Sequence, residues 1–198
     1  MTPLDESRSP TLAQLAWTFG PFGILTLAVV LGAIALPNAN VTYNRAVGWI
    51  WVSIVFAAPA LVIWTVGAYR RPLSNLWRLS WTFSAVAYLL HFWITQFRIY
   101  QGDVGAVFAN QGTVVALSNY LVTVVWTLDV VLAWATRRPD GWIGWVRTAS
   151  HLLVFVSIVT SSVAFRPVFS PVWLLGLATA IAVVGAALVR WLGRPAPA

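Results

Sequence analysis

Six apolar stretches, 17–36, 48–68, 81–100, 114–135, 142–165 and 172–193, run almost end to end along a chain of 198 residues. A helix needs about 20 apolar residues to cross the hydrocarbon core of a bilayer, so each stretch is long enough to span one. Breaks fall where a helical pattern has to stop. Pro37-Asn38-Ala39-Asn40 follows the first stretch, Arg70-Arg71-Pro72 the second and Gln101-Gly102-Asp103 the third. Arg137-Arg138-Pro139-Asp140-Gly141 follows the fourth, Arg166-Pro167 the fifth and Gly193-Arg194-Pro195 the sixth. The spacing predicts an all-α, polytopic membrane bundle of six transmembrane helices in one domain covering 1–198, with a polar tail over 1–12 and a short tail over 194–198. Only 9% of the residues are charged and 60% are apolar, where a soluble domain carries about 25% charged residues. That excludes a water-soluble globule.

The net charge of +7 is carried by twelve arginines and no lysine, placed singly or in pairs at the ends of the apolar runs. This distribution is a topology signal, not a nucleic-acid patch, and no nucleic-acid partner is expected. With the N-terminus inside, Arg8, Arg70, Arg71, Arg78, Arg137, Arg138, Arg147, Arg190 and Arg194 fall on the cytoplasmic side. Arg45, Arg98 and Arg166 fall outside, so both termini are expected in the cytoplasm. Trp17, Trp49, Trp81, Trp142, Trp173 and Trp191 lie near the expected span ends and read as headgroup-zone residues. The absence of Cys excludes disulfide, thiol and thiolate–zinc chemistry. The acidic N-terminal residues Asp5 and Glu6 do not resemble a secretory leader. An all-Arg basic set suggests a GC-rich genome, and in a bacterium the location is the cytoplasmic (inner) membrane.

Ionisable groups inside a span are costly and therefore informative. They are His91, Arg98, Asp129, Arg147 and His151, and the two histidines are the only ones in the chain. Helical spacing places Ser84, Tyr88, His91, Thr95 and Arg98 on one polar stripe of the third span. Around His151 the inner end is polar, with Arg147 and Thr148, and the middle apolar. At 1.5 Å per residue His91 lies about 15 Å past Trp81. His151 lies about 13.5 Å past Trp142, or about 4.5 Å in if its span starts at Thr148. The apolar run 142–146 favours the earlier start, and the two histidines then share a level. Two neutral imidazoles at one level suit the axial positions of a b-type heme, with iron as the metal, Tyr88 beside it and Arg147 on a propionate. Asp129 on the fourth span has His151 and Arg147 as its expected partners. It reads as an ion pair fixing the helices, a carboxylate hydrogen-bonded to His151 that holds it in its ligating tautomer, or a proton relay. The stretch 101–113 is a Gly-rich connection able to dock a partner or cover a quinone.

Residues 78–92 (RLSWTFSAVAYLLHF) and 142–155 (WIGWVRTASHLLVF) resemble the starts of the third and fifth spans in the ferric-reductase-like transmembrane family. That resemblance implies six helices and axial ligation of heme b by His91 and His151. Members with two hemes carry a second His about thirteen or fourteen positions after each first one. Here those positions hold Val104 and Gly105, and Ala164 and Phe165, so the resemblance implies one heme at most. Electrons would then pass between quinol and a partner protein. Two further classes fit the same residues: a cofactor-free anchoring subunit of a respiratory, photosynthetic or oxygenase complex, and a small proton-coupled transporter using His91 and Asp129. All three have the lipid bilayer as partner, and the first two have other protein subunits.

Overall fold

A computed structural model describes residues 9–35, 40–67, 74–136, 141–164 and 166–193. Its helices are α1 (Leu12–Ala35), α2 (Val41–Thr65), α3 (Ser74–Trp93), α4 (Val104–Gln111), α5 (Thr113–Ala135), α6 (Gly141–Val159) and α7 (Pro171–Leu192). α3 runs on into a π-helical segment, Ile94–Ile99, and α6 into another, Thr160–Ala164. No strand occurs among the described residues.

Five helical stretches are long and apolar enough to cross a membrane: Leu12–Ala35, Val41–Thr65, Thr113–Ala135, Gly141–Ala164 and Pro171–Leu192. That suits a multi-pass membrane protein. α3 is absent from this set for a physical reason. Its first half, Ser74–Ser84, carries Asn75, Arg78, three serines and three tryptophan or phenylalanine rings, and most of its side chains are buried against protein. A helix surrounded by other helices has no need of a lipid-compatible surface. α3 packs on α2, α5 and α1 and forms the hub of the bundle.

Caps fix the helix starts where the sequence provides them. Asn40 accepts from the Tyr43 amide, Asp103 from the Ala106 amide and Ser170 from the Trp173 amide, each satisfying a free N–H of the first turn. The start of α1 and the end of α7 lie at the same end of the bundle, here called proximal. There the Asn75 amide reaches the Ser9 carbonyl (3.5 Å) and Gln14 (3.4 Å). Arg190 donates to the Thr65 carbonyl at 2.9 Å. At the distal end the Asn44 amide donates to the Ala33 carbonyl, joining α1 to α2.

Aromatic side chains ring both ends. Trp17, Trp134, Trp142, Trp145 and Trp191 are exposed proximally, and Trp93, Phe97 and Phe169 distally. Trp49 and Trp81, expected in the headgroup zone, are instead buried. The span containing Trp81 begins at Ser74, seven residues earlier than expected, which draws Trp81 into the core. A second correction concerns 101–113, which is not all connection. Asp103 caps the two-turn helix α4, and left-handed conformations at Gln101 and Gly102 (φ 52° and 82°) turn the chain into it. The polar stripe of the third span is corrected as well. Ser84 and Tyr88 are buried, but Arg98 is exposed and Gln96 takes the inward position, donated to by the Tyr120 hydroxyl at 2.6 Å. The π-helical turn is the cause: it inserts a residue per turn and rotates everything after Trp93. The arginine pairs at 70–71 and 137–138, with Arg8 and Arg194, lie outside the described residues.

Candidate functional site: a closed ionic core and an open histidine

Asp129, on α5, is wholly buried and fully coordinated by neighbouring helices. Its Oδ1 accepts from Arg147 Nε on α6 at 3.1 Å, and its Oδ2 accepts from the Trp81 indole on α3 at 3.0 Å. The Arg147 guanidinium lies 4.8 Å over the Trp77 ring, so the cation also meets a π face. An unpaired charge in such surroundings costs several kcal/mol or more, and pairing with hydrogen bonds is what lets both ions stay inside.

His151 completes this cluster. Its Nδ1 lies 2.8 Å from the Arg147 carbonyl and 3.7 Å from Asp129 Oδ2. Its Nε2 lies 3.1 Å from the Trp77 indole nitrogen. A carbonyl only accepts and an indole N–H only donates, so the proton sits on Nδ1 and Nε2 uses its lone pair for Trp77. The ring is stacked on Trp81 at 4.0 Å and on Trp64 of α2 at 4.7 Å. Three indoles and an ion pair therefore enclose one imidazole, tying α2, α3, α5 and α6 together.

His91 is in a different place. Its Nδ1 lies 2.8 Å from the Ala46 carbonyl of α2, which leaves Nε2 as a lone pair on the opposite edge of the ring. That ring lines a cavity of about 180 Å³ between α2, α3, α5 and α6. Tyr88 lies against the same cavity, with its hydroxyl donating to the Asn119 carbonyl at 3.0 Å. Because His151 stacks on Trp81, ten residues before His91 on the same helix, the two imidazoles differ in height by about 15 Å. The sequence-based levels diverge because α3 starts at Ser74 while α6 starts at Gly141, close to its expected start.

This geometry does not fit the heme that the family resemblance implies. Holding one heme between them would need His91 and His151 at a common level, whereas these rings sit on different levels. The His151 nitrogen that would face iron is occupied by the Trp77 N–H. Arg147, expected on a propionate, is spent on Asp129. Among the described residues no three His or acidic side chains converge as a metal site.

Trp64 and Trp77 are the site residues that sequence reasoning passed over. The available signal was the indole of Trp77, four residues before Trp81 on α3, but its meaning depended on knowing where α3 begins. No protein-family model matches this chain, and comparison with curated proteins and with solved structures finds no match either.

Proposed function

We propose that this chain is a six-helix integral membrane protein that serves as a cofactor-free, anchoring subunit of a larger membrane assembly. α3 is the sixth crossing: with its π-helical continuation it covers Ser74–Ile99, about 39 Å of helix. The termini lie on the cytoplasmic side, a reading supported by the arginine bias and by the position of Arg78, Arg147 and Arg190 towards the proximal end.

The observation that carries the reading is the closure of the Asp129–Arg147–His151 cluster. Each charged or basic member is engaged by a neighbouring helix, and the effect of those contacts is to hold four helices in register. A subunit of this kind contributes shape and surface. The described connections between helices are too short for a soluble domain, so its outward chemistry lies on apolar faces. α1 is the least buried of the long apolar helices, with Leu12, Trp17, Phe19, Ile24, Leu27, Leu31 and Ile34 exposed and only Thr18 and Ala33 buried. A proton-coupled transporter finds less support: Asp129 is sealed within the indole cluster, remote in height from His91.

Mild-detergent extraction from native membranes, followed by size-exclusion chromatography and mass spectrometry, tests the proposal. The expected result is elution with defined partner subunits, lost when Leu27 and Leu31 on α1 are changed to Ala and Trp. Elution of the unaltered chain as a lone protomer at every detergent concentration contradicts it.

A further inference from the structure

The cavity beside His91 is independent of the ionic core, and it has the character of a binding site. It runs from the middle of the bundle, at Val154 and Trp126, to the distal rim at Arg166. Its walls are mostly apolar, which in a bilayer favours a lipophilic occupant over water alone. Two polar groups set into those walls are without partners of their own. His91 lines the cavity and spends Nδ1 on the Ala46 carbonyl, which leaves Nε2 as a free acceptor. Trp126 is 3% exposed, and its indole N–H has no acceptor. A buried donor without an acceptor costs about 1–3 kcal/mol, so the site gains from a ligand that supplies one.

Size and shape narrow the class. An apolar cavity of about 150 Å³ is enough to hold benzene, and this one measures about 180 Å³. The rings of Tyr88 and Trp126 lie 5.3 Å apart, and those of Tyr88 and His91 6.3 Å apart, so one wall is a run of aromatic surface. An aromatic ring packs well against such surface. A hydroxyl is the group that can both donate to an imidazole lone pair and accept from an indole N–H.

The geometry points to a binding site, between α2, α3, α5 and α6, for a lipophilic molecule bearing a hydroxylated aromatic ring, with His91 accepting its O–H. Tyr88 positions the site by fixing α3 to α5 through the Asn119 carbonyl.

The purified full-length protein in detergent is titrated with 4-fluorophenol and, separately, with 4-fluoroanisole, its methyl ether, while the ¹⁹F resonance is followed. The ether keeps the ring and loses the donor. Expected is a saturable shift with the phenol and at least fivefold weaker binding of the ether. His91→Leu should weaken the phenol tenfold or more and bring phenol and ether to the same affinity. Ser157→Leu, which fills the cavity from its α6 wall, should abolish saturation for both. If His91→Leu fails to fold, Trp126→Phe supplies the second polar test, with an expected loss of at least threefold for the phenol. Equal binding of phenol and ether to the unaltered protein overturns the assignment. So does a non-saturating shift that matches empty micelles, or full phenol affinity retained in the Ser157→Leu protein.

Discussion

Removing the Asp129 carboxylate leaves the Arg147 guanidinium buried beside Trp77 with no counter-ion. Breaking a buried pair from one side costs about 3–5 kcal/mol, whereas replacing both partners by apolar groups of similar size is often close to neutral. Asp129→Leu should therefore lower the thermal unfolding midpoint in detergent sharply, and adding Arg147→Met should restore most of it. Equal losses that simply add would contradict the clamp. Trp77→Phe keeps the ring under Arg147 but deletes the donor to His151 Nε2. The expected loss is about 1–3 kcal/mol, read from the same unfolding curves, and no loss would mean that this hydrogen bond holds nothing. The ion pair was legible in the sequence, because an Asp and an Arg in adjacent apolar spans each need a partner. The indole cage was not. Trp81 has the sequence position of a headgroup-zone residue, and only the early start of α3 takes it to the core.

Between elements, α7 comes close to the π-helical end of α6 at Gly176. A Cβ built on Gly176 would overlap the Ser162 hydroxyl and stand 2.6 Å from Ser162 Cβ. Ser162 is pinned from behind, its hydroxyl donating to the Ile158 carbonyl. Overpacking of this kind costs about 1–3 kcal/mol. Gly176→Ala should destabilise the protein by that amount, and Ser162→Gly in the same chain should recover part of it. An unchanged midpoint in the single variant would show that the helices part without cost. The all-helical character and the approximate limits of the five long apolar helices were readable from apolar run length, since length is what a bilayer selects. The two π-helical segments were not, because an extra residue in a turn changes no composition. Their effect is nonetheless large, exchanging Arg98 for Gln96 on the inward face.

At the scale of the whole molecule, a chain without cysteine lends itself to topology mapping by single introduced thiols. Asn110→Cys, on the distal helix α4, should react with a membrane-impermeant maleimide in intact cells. Thr136→Cys, just past α5 at the proximal end, should react only after the membrane is opened. The reverse pattern would invert the orientation, and reaction of both in intact cells would mean that α5, which separates the two positions, does not cross. Arginine placement is what the proposed orientation rests on in the sequence. What it could not carry was the relative height of residues on different helices, which depends on where each helix begins and so decided the fate of the two histidines. A shared iron needs both imidazoles at one level, and here one is enclosed by indoles while the other faces a cavity. The absorption spectrum of the protein purified from heme-replete cells tests this most directly. The account predicts no Soret band above the contribution of partner subunits, whereas a Soret band that travels with this chain and disappears in both His91→Ala and His151→Ala would contradict it.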